Sequence, residues 1–199
     1  MEVKGLNLVR RDTPPLLREV YEAALLKLLE GDTEGAIKVV HNAVRCLNNG
    51  GVELNKLVVS KSLRASYIHK GKAVAFTDMM TSKSPPIVPQ PHLVVAWKQH
   101  QRLGTEAGPK AGDRVGFVIA QHVGSAMGDW RAAGLMAYRA EDPEYMMQHG
   151  VKIDVQYYRE RVLRKAMEGL FGIILGAETG RRLFHPAQKG IQSFLMSLR

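Results

Sequence analysis

The chain has a single cysteine among its 199 residues. Cys46 alone closes no internal disulfide and builds no zinc ribbon, and it is expected to fill a small space in the core of its helix. The seven histidines, His41, His69, His92, His100, His122, His149 and His185, show neither H-x-x-x-H spacing nor a metal box with carboxylates. Lone packing, surface or capping roles are expected for them, and no catalytic or metal-ligating residue is assigned. No apolar run approaches the ~20 residues that cross a bilayer. Glu2 and Lys4 stand where a signal peptide would carry its apolar core, so a soluble intracellular chain is expected. Internal repeats and low-complexity tracts are missing too. Acidic residues are the scarcer charge: 19 Asp+Glu against 28 Lys+Arg give a net charge of +9.

What is present supports a folded protein. At 45% hydrophobic and 24% charged, the composition is that of an ordinary globular domain, enough for one core or two small ones. The basic excess favours polyanionic partners, through Coulomb attraction and release of counterions condensed on phosphates. Charge alone does not separate DNA from RNA, ribosome or anionic membrane.

Hydrophobic spacing places the elements. Thr13-Pro14 reads as a helix start, Thr13 offering a cap oxygen and proline being tolerated in a first turn. Leu16, Val20, Ala24 and Leu28 follow at helical spacing, flanked by Leu17, Leu25 and Leu29, until Gly31-Asp32. A second helix buries Ala36, Ile37, Val40, Val44 and Leu47 and stops at Asn48-Asn49-Gly50-Gly51. The two should pack as an antiparallel pair. Leu57-Val58-Val59 predicts a short strand, and residues 64–90 a loop with one helical turn, rich in proline at its end. Pro91 through Leu103 predicts a helix, and Asp113 through Ala120 the best strand. Residues 124–139 read as an insertion or flexible connection. Asp154 is expected to cap a long helix with Tyr158, Val162, Ala166, Leu170 and Ile173 on its apolar face, weakened near its end by Gly172. The fold class is thus mainly α with a small β element.

Six stretches in order carry a resemblance: Lys4-Gly5-Leu6-Asn7-Leu8-Val9-Arg10-Arg11-Asp12, Lys56-Leu57-Val58-Val59-Ser60-Lys61-Ser62-Leu63, Pro91-His92-Leu93-Val94-Val95-Ala96, Gly112-Asp113-Arg114-Val115-Gly116-Phe117-Val118-Ile119, Ala140-Glu141-Asp142-Pro143 and Ile153-Asp154-Val155-Gln156-Tyr157-Tyr158. Together they are similar to the segment running from palm into thumb in family-B DNA polymerases, most of all the delta type. Phe117 replaces the family's tyrosine. The resemblance implies a thumb-like helical domain: residues 1–12 as the palm-to-thumb connection, 13–180 as the thumb and 181–199 as a basic tail. The family's polymerase aspartates, fingers and exonuclease carboxylates precede the first motif, so nucleotidyl transfer, and the Mg2+ it uses, are expected only in a palm outside this chain. Met1 stands where relatives have an internal residue, and a split gene, a fragment or a misplaced start are all open.

A replicative polymerase holds any sequence while sliding, so its grip should touch phosphates and leave base edges unread. The resemblance implies DNA-binding roles for Lys4, Gly5, Arg10, Arg11, Lys61 and Tyr157. Gly5 would permit close backbone approach. Salt bridges to Asp12 and Glu19 are the alternative for the arginines. Tyr157 and Tyr158 point about 100° apart on a helix, so Tyr158 is assigned to the core and Tyr157 to the open side. In the tail, Gln188, Ile191, Phe194 and Leu195 resemble a clamp-binding box, Leu195 departing from its final aromatic; a short helix docked on the thumb is the alternative. The implied partners are duplex primer-template DNA, a palm-containing polypeptide and a sliding clamp, with no membrane, in a nuclear or viral replication compartment. A free-standing non-catalytic DNA-binding protein, or a basic module for RNA or protein, are the rival readings.

Overall fold

The structure is a computed structural model that describes residues 12–121 and 136–176. It divides into two compact units, one formed by residues 1–57 with 155–199 and the other by Val58–Asp154. No helix among the described residues is long and apolar enough to cross a membrane.

The first unit is helical. Helix α1 (Pro15–Leu29) and helix α2 (Thr33–Asn48) pack on each other through Val20, Ala24 and Leu28 on one side and Ala36, Ile37 and Val40 on the other, all buried. Pro15 sits at the first position of α1, with Pro14 before it and no side-chain cap. Thr13 therefore does not act as the cap: the second proline moves the start one residue on. Asp32 does cap α2, its carboxylate accepting from Gly35 N at 2.8 Å. Gly50, at φ 69°, ends that helix. Val44 is only half-buried, and Cys46 is exposed, so the expected core cysteine is a surface residue. The reason is phase: Leu47, fully buried, takes the inward position next to it.

A 3-10 turn over Leu54–Leu57 occupies part of the predicted strand. The same unit resumes at α6 (Val155–Tyr157), passes through a π-helical stretch (Tyr158–Arg164) and continues as α7 (Lys165–Leu175), which packs on α1. Its buried face is Tyr158, Leu163, Met167, Leu170 and Phe171, not the predicted Val162, Ala166 and Ile173, the last of which is 81% exposed. A π-turn bonds i to i+5 and so takes more residues per turn. The step from Tyr158 to Leu163 is five residues, which puts Leu163 and Met167 in place of the predicted Val162 and Ala166, while Leu170 is buried as predicted.

The second unit is built on an antiparallel sheet of β1 (Val59–Ser62), β4 (Arg114–Ile119) and β5 (Ala140–Glu141), with β4 central. Between β1 and β4 the chain makes a hairpin of β2 (Ser66–His69) and β3 (Lys72–Ala75), then α3 (Phe76–Thr81) and α4 (Pro91–Leu103). Residues 64–90 are thus more ordered than their lack of periodicity predicts. Strands of four residues are too short for alternation to show, and the turn between them is signalled only by Lys70-Gly71, both at positive φ. Helix α4 packs on β4, β5 and α3, burying Leu93, Val94, Val95, Ala96 and Trp97. Most of the connection predicted at 124–139 lies outside the described residues; its end, Met136–Arg139, is a 3-10 turn. Helix α5 (Pro143–His149) starts on Asp142, whose carboxylate accepts from Glu144 N at 3.0 Å.

A buried ionic cluster closes this unit. Lys98 Nζ and the Glu141 carboxylate are 3.1 Å apart, with only 5% and 7% of their side chains exposed. Arg102 binds both oxygens of Glu141, at 3.0 and 3.1 Å, and lies over the Tyr145 ring. Lys98 also donates to the carbonyls of Ala140 and Tyr138. Burial opposes the charged carboxylate, but Lys98 and Arg102 outweigh it and hold Glu141 below the usual glutamate range. Asp154, expected as a cap, pairs with the Arg139 guanidinium.

Candidate nucleic-acid interface

Three of the six motifs meet at one end of the sheet. Strand pairing sets Lys61 opposite Val115 and Ser62 opposite Arg114. Lys61, Arg64 and Arg114 are all exposed. The Arg114 guanidinium is laid across β1, donating to Ser60 Oγ at 3.2 Å, to Ser62 Oγ at 3.2 Å and to the Ser60 carbonyl at 2.7 Å. These acceptors are neutral, so they orient the cation and leave its charge in place.

The chain leaving β1 is tied down behind these cations. Leu63 is buried, donates from its amide to the Asp113 carbonyl at 2.8 Å and accepts from Gly112 N at 2.9 Å. Arg64 N donates to the Tyr67 hydroxyl at 2.9 Å, and that hydroxyl lies 3.3 Å from His92 Nε2. The Tyr67 hydroxyl thus accepts from the Arg64 amide and shares a hydrogen bond with the His92 ring. Burial first, then the charges of Lys61 and Arg64, push the His92 pKa down to about 4. The ring is neutral at pH 7. His92, expected as a packing residue, is thus also the anchor that fixes the turn carrying Arg64.

More cations extend the surface of this unit. Lys70 and Lys72 flank Gly71 at the β2–β3 turn, and Lys110 precedes β4; all three are exposed. Among the described residues Arg64, Lys70, Lys72 and Lys110 make no ion pair, while Glu141 and Asp154 pair with Lys98, Arg102 and Arg139. A groove of about 660 Å³ beside Arg114 is lined in part by Asp113, Asp142 and Glu144, whose carboxylates bound the cationic surface on that side.

Tyr157 belongs to the other unit. It is half-buried, its ring edge-on to that of Tyr158 with centroids 5.2 Å apart. Tyr158 is the core residue expected, its hydroxyl donating to the Leu57 carbonyl at 3.2 Å. Glu19, weighed as a partner for Arg10 and Arg11, pairs with Lys56 at 2.8 Å. Lys4, Gly5, Arg10 and Arg11, and Gln188, Ile191, Phe194 and Leu195, lie outside the described residues. Arg64 and Arg114 were not singled out by sequence reasoning, although both lie in or beside quoted motifs. The Ser-Lys-Ser pattern facing Arg114 was the available signal: alternate serines on a strand offer hydroxyls on one face.

No three His, Cys, Asp or Glu residues come together as a metal site among the described residues.

A model of DNA polymerase family B matches residues 1–173. The chain belongs to that family. It is 32% identical over 179 residues to the DNA polymerase delta catalytic subunit of Bos taurus and 34% identical over 178 residues to that of Drosophila melanogaster, covering 88% of this chain each time. It spans only 14% of the length of either relative. A solved structure of the family B DNA polymerase from Pyrobaculum calidifontis aligns with a TM-score of 0.49 and 22% identity, over 78% of this chain and 17% of its own.

Proposed function

We propose that this chain is the thumb part of a delta-like family-B DNA polymerase, acting in DNA replication by gripping primer-template duplex through its phosphates. The observation that carries this reading is the cluster of exposed cations at the end of β1 and β4, in which Arg114 is held by serine hydroxyls and a carbonyl, and Arg64 makes no ion pair among the described residues. Such a set suits sequence-independent binding, because phosphates are reached by charge and oriented donors while base edges are left alone. Lys61, Arg64 and Arg114 supply the charges, and His92 with Tyr67 positions the turn between them. Tyr157 would stack against sugars, and Lys4, Gly5, Arg10 and Arg11 would line the duplex where residues 1–12 enter from the palm. Residues 13–180 form the thumb in this reading. Residues 181–199 would carry Gln188, Ile191, Phe194 and Leu195 to a sliding clamp. Nucleotidyl transfer, with its Mg2+, falls to a palm elsewhere.

Fluorescence anisotropy with a labelled 20-base-pair DNA duplex, the matching single strand and an RNA duplex tests the grip. Tighter binding of duplex DNA, independent of sequence and weakened by Lys61→Ala, supports it; equal affinity for all three sinks it in favour of a general basic module. Primer extension on mixing with a palm-containing polypeptide lacking this region tests the catalytic setting. Restored extension is expected, and stable failure to associate would leave a free-standing DNA-binding protein instead.

A further inference from the structure

The face of the α6–α7 helix opposite its core carries a second arrangement that no motif singled out. Gln156, Arg161, Lys165, Gly169 and Ile173 are exposed along it, a step of five residues and then steps of four, with Ile174 exposed beside the last. This repeats the phase of the buried face, Tyr158, Leu163 and Met167, so the π-turn that shifts the core also aligns Arg161 over Lys165. In an unbroken α-helix the outward line from Gln156 would meet Glu160, since residues four apart share a face.

The cations of this helix sort by face. Arg159 pairs with Glu160 at 2.8 Å, and Arg164 bridges Glu160 at 3.0 Å and Glu168 at 2.7 Å. These pairs sit on the flanks. Arg161 and Lys165, on the outward face, have no ion pair among the described residues. One turn further, Gly169 is exposed in mid-helix, and a β-carbon built there meets nothing within 4 Å. Glycine at such a place costs helix stability relative to alanine and relieves no internal clash. Its remaining effect is to let an outside group come close to the helix backbone.

We infer that Arg161, Lys165 and Gly169 form a second phosphate-backbone contact, in which the two cations bind successive phosphates of duplex DNA and Gly169 lets the strand approach the helix. Charge complementarity selects the occupant: two unquenched cations one turn apart fit a polyanion. The inference rests on the duplex-binding reading above, but uses residues of the other unit.

Two variants of the full chain test it. Arg161→Ala with Lys165→Ala should flatten the slope of log affinity against log salt by about 1.8, two phosphate contacts at ~0.9 each. Gly169→Ala should raise the thermal midpoint by about 2–4 °C, as an alanine in an exposed helix does, while weakening duplex binding at least five-fold. Opposite movement of stability and affinity is the signature of a glycine kept for approach. An unchanged salt slope, or a Gly169→Ala protein that is more stable and binds as well as the parent, overturns the inference. If either occurs while Lys61→Ala still weakens binding, the duplex reading stands and this contact alone falls. If the parent chain binds no duplex, both fall.

Discussion

The two compact units treat surface charge in opposite ways. In the helical unit Lys27 pairs with Glu30 and Asp32, Lys38 with Glu34, Lys56 with Glu19, and Arg159 and Arg164 with Glu160 and Glu168. In the sheet unit the carboxylates of Glu141 and Asp154 are spent on partly or fully buried cations, Lys98, Arg102 and Arg139. Among the described residues its outer cations Arg64, Lys70, Lys72 and Lys110 make no ion pair, and Arg114 rests on serines. The helical unit neutralises much of its surface charge locally, the outward Arg161 and Lys165 excepted, while the sheet unit leaves more of its described cations available. The difference lies in how the cations are paired and not in formal charge, since the +9 divides nearly evenly, +5 on the helical unit and +4 on the sheet unit.

The largest expected effect on stability comes from the buried side of this contrast. Glu141→Ala leaves Lys98 enclosed without its counter-charge, and a loss of about 3–5 kcal/mol by urea unfolding is expected. A loss below about 1 kcal/mol would show that Lys98 is not held by that carboxylate. Acid comes next. The folded pKa of His92, about 4, lies below its ordinary 6.5, so the unfolded chain binds the extra proton first. His92 therefore contributes full stability above about pH 6.5, and that contribution is lost as pH falls toward 4. Unfolding midpoints measured across this range should drop for the parent and change less for His92→Gln; parallel curves would remove His92 from the account.

Smaller effects belong to the helical unit. Tyr158→Phe removes the hydroxyl that donates to Leu57 and should cost about 1 kcal/mol in the same urea assay. Glu34→Gln, which breaks an exposed pair one helical turn long, should move stability by less than about 0.5 kcal/mol. A larger change there would mean that the paired surface carries fold stability and is not merely neutralised.

The sequence made the helical pair, the α4 helix and the β4 strand readable because each repeats its apolar positions for several turns or along a whole strand. The β2–β3 hairpin was not readable, since four-residue strands hold too few alternations. The last helix was recognised, with Tyr158 and Leu170 buried as expected, but Val162 and Ala166 were chosen one residue short of Leu163 and Met167. Periodicity arguments assume 3.6 residues per turn, and nothing in Tyr158-Arg159-Glu160-Arg161 announces a π-turn. At the candidate interface Lys61 was singled out from its motif, and the strand pairing sets it beside Ser62 and Arg114. Arg114 and His92 acquire their roles only when strand pairing and the Tyr67 hydroxyl bring separated segments together, which no local pattern encodes.

The most direct test removes three charges from each unit in turn and compares salt dependence on one DNA duplex. Arg64→Ala, Lys110→Ala and Arg114→Ala together should flatten the slope of log affinity against log salt by up to about 2.7, at ~0.9 per phosphate contact. Lys27→Ala, Lys38→Ala and Lys56→Ala, which lower net charge equally but remove paired cations, should leave most of the slope intact. Equal flattening by the two triples would contradict the account, because binding would then follow net charge and not the unquenched cations of the sheet unit.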